Sequence, residues 1–182
     1  MHNFILFTGG PGSGKTAVIE QMKALGHRCK DEVGRRVIRQ QQAHGGDALP
    51  WKNKTAFRDE MVRAEITSYN QQPNLGEPVF FDRGIIDCLG YSLLEQLELP
   101  AALLSLATSM VYSRNVFIFP PWKAIYENDA ERKQSFTQAV QTYNAMVDVY
   151  LQFGYELIEV PLLTVSERTG FILDKLSSNS QS

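Results

Sequence analysis

The sequence predicts a three-layer α/β domain with about five parallel strands flanked by helices, and three observations carry that expectation. β-type runs alternate with helix-type segments along the whole chain. Several of the strand candidates are short, continuous apolar runs, such as Val79-Phe80-Phe81 and Asn115 to Phe119, the pattern of a parallel sheet covered on both faces. The length, 182 residues, suits one domain of ordinary size, here residues 1–176 with a flexible polar tail at 177–182.

Taken in order, Phe4 to Phe7 is a β-rich run that stops at a Gly-rich turn, and helix-like sequence follows from Lys15 to about Leu25. Gly26 stands where a left-handed residue ends such a helix. His27 to Lys30 reads as a short second strand. Asp31 to Gln42 reads as a helix with Val33, Val37 and Ile38 near one face and Arg35, Arg36 and Arg39 near another. Thr55 to Gln71 is the next helix, with Phe57, Met61, Ala64 and Ile66 as its apolar positions. Val79 to Phe81 is a strand ending at Asp82, followed by helices over Ile85 to Gln96 and Ala101 to Ser109. After the strand Asn115 to Phe119, the longest helical stretch is expected from Asp129 to Phe153. Phe136, Val140, Tyr143, Val147 and Tyr150 recur there at steps of three and four. Gly154 ends it, Tyr155 to Glu159 is the last strand, and Ser166 to Leu176 the last helix.

Composition removes several function classes. The net charge of −2 supplies no global field for nucleic acid or anionic lipid, so any anion must be held by a local site. Cys29 and Cys88 are far apart, with no Cys-x-x-Cys pair and no His cluster, which argues against a structural metal or a disulfide scaffold. No stretch approaches the ~20 apolar residues of a membrane span, and the N-terminus has no basic and apolar leader pattern. A cytoplasmic protein without a membrane or nucleic-acid partner is the expectation.

The chemistry is concentrated in Gly9-Gly10-Pro11-Gly12-Ser13-Gly14-Lys15-Thr16. This is the spacing of a phosphate-binding loop, and it sits between a strand and a helix, as the mechanism requires. Glycines let backbone N–H groups turn inward around phosphate oxygens, and the helix N-terminus adds its free N–H groups and dipole. Gly10, Pro11, Gly12, Ser13 and Gly14 would cradle the phosphates, with Lys15 on the β- and γ-phosphates and the Thr16 hydroxyl on Mg²⁺. ATP is the expected nucleotide by default, because contacts of this kind are to phosphate rather than to the base. Asp82 ends a strand beside the loop, where a carboxylate can hold Mg²⁺ through water or take a proton from an attacking hydroxyl; the less favoured reading is an acid that only caps the next helix.

Asp82-Arg83-Gly84 resembles the Asp-Arg motif that thymidylate and deoxynucleoside kinases carry at the end of the third strand. Further segments extend the likeness, in order: FTGGPGSGKTAVIEQMKALGHRCKDEVGRRVIRQQ, LPWKNKTAF, VFFDRGIIDCLGY, DAERKQSF and GYELIEVP. From about Phe4 to Leu176 the chain is similar to a small family of P-loop predicted ATPases grouped with the kinase domain of ribosylnicotinamide kinase and with the TRPL translocation defect protein. The resemblance implies ATP and Mg²⁺ as cofactors and a nucleoside- or nucleotide-kinase-like P-loop fold. It implies Lys15, Asp82 and Arg132 as catalytic residues, Thr16 and Asp82 as metal partners, and Glu32, Arg36 and Arg83 at an acceptor not identified by the sequence. Arg132 would close over the transferring phosphoryl as part of a lid, with Lys133 second. A solvated helix face accounts equally for Glu32, Arg35 and Arg36, and a charged helix start for Asp129 to Lys133. Trp51 and Phe57 could stack on a planar acceptor, although core positions are favoured, and Arg168 could stack on adenine. Cys88 is expected to be buried. Two functions stay open: a small-molecule kinase, and a nucleotide-dependent regulatory module with slow ATPase activity. No Asn-Lys-x-Asp guanine motif and no Asp-Glu pair of a ring motor occur.

Overall fold

A computed structural model describes residues 3–72, 76–126 and 135–179. Five strands form one parallel sheet, in the order β2-β3-β1-β4-β5. They are β1 (Phe4–Gly9), β2 (Arg28–Lys30), β3 (Val79–Asp82), β4 (Asn115–Phe119) and β5 (Glu156–Glu159). The helices are α1 (Lys15–Ala24), α2 (Val33–Ala43), α3 (Lys54–Asn70), α4 (Ile85–Leu94), α5 (Ala101–Ser109), α6 (Phe136–Gln152) and α7 (Val165–Asn179). The expected α/β architecture is the one observed.

Strand alternation divides the core into two layers. Leu6, Val79, Phe81, Val116 and Ile118 point to the side covered by α4, α5 and α6, with Val62 and Ile66 of α3 at its margin. Ile5, Phe7, Phe80, Phe117 and Phe119 point to the other side, where Val18, Ile19 and Met22 of α1 and Ile172 of α7 complete the packing. Both faces of each central strand are thus apolar, which is why the strands read as unbroken hydrophobic runs. Val37, Ile38, Leu49 and Phe57 make a third, smaller cluster that ties α2 to α3.

Local chemistry sets the element ends. At the end of α1, Gly26 has φ 86°, and His27 N–H donates to Met22 O while Gly26 N–H donates to Lys23 O, the left-handed C-terminal arrangement anticipated there. Asn53 caps α3 by accepting from Ala56 N at 3.0 Å.

Three expectations need correction. The part of the long helix expected over residues 129–134 lies outside the described residues; at Ser135 the backbone is extended, ψ 162°, the Ser135 hydroxyl accepts from Gln138 N, and Ser135 N–H donates to Gln138 Oε1. That reciprocal cap starts α6 at Phe136. The inward stripe of α6 is Ala139, Thr142, Met146, Val149 and Tyr150, offset from the stripe the large side chains suggested, since small residues face the phosphate loop. The last helix extends past Leu176: α7 continues to Asn179, and the Ser177 and Ser178 hydroxyls donate to Leu173 O and Asp174 O.

Candidate functional site

The phosphate loop leaves the C-terminal end of the central strand β1, at the sheet edge where α/β folds bind ligands. Two of its glycines have identifiable reasons. Gly14 sits at φ 81° immediately before α1, a conformation that costs a side-chain-bearing residue about 1–2 kcal/mol. Gly10 lies against α6 so closely that a Cβ there would collide with the Ala139 carbonyl. Ser13 Oγ donates to Gly10 O at 2.9 Å, closing the loop on itself.

Lys15 is buried and curls back along the loop, its Nζ donating to Gly10 O at 2.9 Å and to Ser13 Oγ at 3.2 Å. Burial, reinforced by the nearby Arg83 guanidinium, lowers its ammonium from the usual lysine range to about 7. A buried lysine held only by neutral oxygens favours an anion at that point. Arg168, 4% exposed, donates through Nη1 to Ser13 O at 3.3 Å and lies 5.5 Å from the Trp122 ring. It therefore braces the back of the loop, and its aromatic partner is Trp122.

Asp82 ends β3 and pairs in register with Phe7 of β1, one strand away from the loop. Arg83 follows at φ 73°, a left-handed backbone that a non-glycine residue keeps only when its surroundings hold it. Here they do. Arg83 N–H donates to Phe7 O at 2.9 Å. Its side chain bridges two acids, with Nε to Glu32 Oε1 at 3.1 Å and Nη1 to Asp87 Oδ1 at 2.9 Å. Asp87 is the hub. It accepts also from Thr8 Oγ1 at 2.7 Å, from Gly84 N at 3.1 Å and from Tyr150 OH at 2.6 Å. The two carboxylates raise Arg83 above the usual arginine range against the cost of burial, while burial beside Asp87 holds the Tyr150 phenol protonated. This buried network locks the turn after β3 to β1, to α6 and to the start of α2.

Two cavities meet at Glu32. One is polar, about 570 Å³, and is lined by Thr16, Asp82, Arg35, Arg36, Arg39 and Lys30. The other is mainly apolar, about 340 Å³, and reaches from Pro11 and Arg83 past Phe57, Met61 and Cys88 to Trp51. Thr16 and Asp82 thus share one cleft, where their oxygens are the donor type that Mg²⁺ takes, with few protein ligands and the rest from water and phosphate. Glu32 and Arg83 reach the apolar cavity; Arg36 does not, and lies on the polar side. Phe57 is core, as favoured, but Trp51 is 54% exposed at the cavity mouth, so the core assignment fails for it. Cys88 is buried on α4 as expected. Arg132 and Lys133 lie outside the described residues.

Asp87, Thr8 and Glu65, which is buried at the cavity wall, were not singled out by sequence. Asp87 carried a faint signal, an acid in the first turn of the helix that follows Asp82-Arg83-Gly84.

Comparison with known proteins places this arrangement. No curated protein matches the chain. Among solved structures, a deoxyadenosine kinase from M. mycoides with its products dCMP and dCDP superposes with a TM-score of 0.69 at 17% identity, covering 96% of this chain and 99% of that one. The NadR protein in complex with NR gives 0.73 at 15% identity, over 97% of this chain and 49% of that one, so the chain spans about half of NadR. A thymidylate kinase from Ehrlichia chaffeensis gives 0.63 at 14% identity, over 96% and 97%. Such identities establish the fold, that of P-loop nucleoside and nucleotide kinases. No helix among the described residues is long and apolar enough to cross a membrane. A family model described as an AAA domain matches residues 4–168, and with the loop, the sheet order and the Asp82-Arg83 turn in place the chain belongs to that small P-loop family.

Proposed function

We propose that the chain is a phosphotransferase that moves the γ-phosphoryl of MgATP to a hydroxyl or phosphate of a small, nucleoside- or nucleotide-like acceptor. The observation that supports it best is the meeting of two unlike compartments at Glu32, one polar and basic beside Thr16 and Asp82, the other apolar and of ligand size. A protein that only hydrolysed ATP would have no need of the second.

In this proposal the loop from Gly10 to Thr16 cradles the phosphates by backbone N–H groups, and Lys15 leaves its loop carbonyls to take the β- and γ-oxygens. Mg²⁺, when bound by Thr16 and Asp82, would offset phosphate charge. The acceptor hydroxyl lies between Glu32 and Asp82. Asp82 takes its proton as the acceptor oxygen bonds to the γ-phosphorus and the bond to the ADP oxygen breaks. Glu32, held by Arg83 and Arg35, orients the acceptor. Arg36, on the polar side, holds an anionic group there, a phosphate of the nucleotide or of the acceptor.

A thermal-shift screen of nucleosides, nucleotides and vitamin precursors, with Mg²⁺ and a non-hydrolysable ATP analogue present, tests this. Acceptor at a hundredfold its Kd adds about 2.7 kcal/mol of stability. Shifts by the analogue alone, with every small molecule silent, would instead favour a nucleotide-dependent regulatory module.

A further inference from the structure

The wall of the apolar cavity contributed by α3 is a ladder at steps of four, Phe57, Met61 and Glu65. Two rungs are apolar and the third is an acid. Glu65 is 2% exposed, and among the described residues no group hydrogen-bonds to it. Its neighbours make ionisation costly. Asp87 of α4, Asp82 of β3 and Glu32 before α2 are three carboxylates acting on it; Arg83, Arg35 and Lys15 already answer those three, and Arg36 of α2 is the cation that opposes the burial of Glu65 itself. Cys88 of α4 and Tyr112 before β4 also face it, both protonated by burial. An acid so buried, without a hydrogen-bond partner among the described residues and on the rim of a ligand-sized cavity, is suited to a partner in the cavity.

Resting on the acceptor role of this cavity, we propose that Glu65 is a specificity-determining residue that works as a neutral carboxylic acid. It presents one O–H donor and one C=O acceptor side by side to an uncharged planar ring whose edge carries the reciprocal acceptor and donor. A lactam or a ring-bound amide has that edge, and Phe57, Met61 and Met146 supply apolar walls for the ring. The state fits the electrostatics: burial first, then Asp87, Asp82 and Glu32, push the Glu65 carboxyl well above the usual range. The selected acceptors are neutral ring compounds, because an un-ionised Glu65 offers a ring edge one donor and one acceptor and no countercharge.

The test compares wild type with Glu65→Gln, which keeps a donor–acceptor pair and cannot ionise, and Glu65→Leu, which keeps size alone. Binding of thymidine and inosine (neutral rings with a lactam edge) and of ribosylnicotinamide (a fixed cation) is measured by calorimetry from about pH 5.5 to about 8, where both lactams stay protonated. The expected result is binding of a neutral nucleoside that Glu65→Gln keeps within about threefold and Glu65→Leu weakens by about tenfold or more. Affinity of wild type should fall with rising pH as Glu65 ionises, while that of Glu65→Gln stays flat. Glu65→Gln losing as much as Glu65→Leu, binding confined to ribosylnicotinamide, or no binding by any of the three compounds would each overturn the proposal. Should Glu65→Leu fail to fold, Glu65→Gln and the pH profile decide alone. A nucleoside that binds with this Glu65 dependence yet gains no phosphate from ATP would sink the phosphotransferase proposal and leave this one standing.

Discussion

The phosphate loop and the apolar cavity are neighbours built on opposite plans. The loop is eight consecutive residues, Gly9 to Thr16, acting mainly through backbone, with one buried lysine. The cavity draws Glu32, Trp51, Phe57, Glu65, Asp87, Thr142 and Met146 from segments spread over more than a hundred residues, and acts through side chains. Backbone recognition demands glycines at fixed spacing and therefore leaves a contiguous signature. Side-chain recognition needs only that helices converge, which leaves none. The two regions also bury titratable groups that shift in opposite directions, an ammonium pushed down and a carboxyl pushed up.

The largest effect that would sharpen this contrast is on the loop side. Lys15→Met is expected to lower phosphoryl transfer by about 10³-fold, while calorimetry shows cavity ligands still bound with near-normal affinity. Loss of both together would mean that the two regions are one unit. Next comes the boundary between them. Asp82→Asn should reduce kcat by about 10²-fold or more with ATP binding largely kept, and near-normal turnover would remove Asp82 from its role.

Asp87 should matter through stability rather than contact. Asp87→Ala leaves Arg83 half-paired and strands the Thr8 and Tyr150 hydroxyls, a loss of about 3 kcal/mol. That corresponds to a drop in Tm of about 10 °C by calorimetry; a shift of one or two degrees would show the network to be dispensable.

The opposite shifts give a pH test. Between about 7 and the ordinary lysine range the unfolded chain holds a proton on Lys15 that the ligand-free fold lacks, so this residue adds stability as pH rises through that window. Bound triphosphate restores the ammonium, so nucleotide binding at pH 8 should take up protons, visible as a heat that varies with buffer ionisation enthalpy. Glu65 runs the other way. The fold holds a proton the unfolded chain has lost above the ordinary carboxylate range, so stability falls as pH rises, and Glu65→Gln should flatten that slope. A slope unchanged in Glu65→Gln would show that the acid is not buried in solution.

The smallest effect belongs to the cavity mouth. Trp51→Ala, at an exposed site, should leave stability within about 0.5 kcal/mol and raise the acceptor KM several-fold if the indole covers the ring.

What was legible in the sequence follows the same division. Ala101 to Ser109 and Asn115 to Phe119 read at their observed bounds, because apolar runs between turn residues have few alternatives. Gly10 to Thr16 read as a phosphate loop before any coordinates. Asp87 and Glu65 did not stand out, since a helical acid is solvated far more often than buried, and only the convergence of α3, α4 and α6 on the sheet buries these two. The start of α6 was missed because residues after Asp129 continue a helix-compatible composition, while the Ser135–Gln138 cap that stops it is a three-residue signal. Trp51 misled in the other direction: a large aromatic is core by habit, and here it stands at an opening.

Incubating the purified chain with MgATP labelled at the γ-phosphate and a nucleoside and nucleotide panel, beside Asp82→Asn, tests phosphoryl transfer most directly. The expected result is label on one class of hydroxyl or phosphate acceptor, at a rate far above hydrolysis, and slower by about 10²-fold or more with Asp82→Asn. Label released only as inorganic phosphate, at the same rate with every compound, would contradict a phosphotransferase.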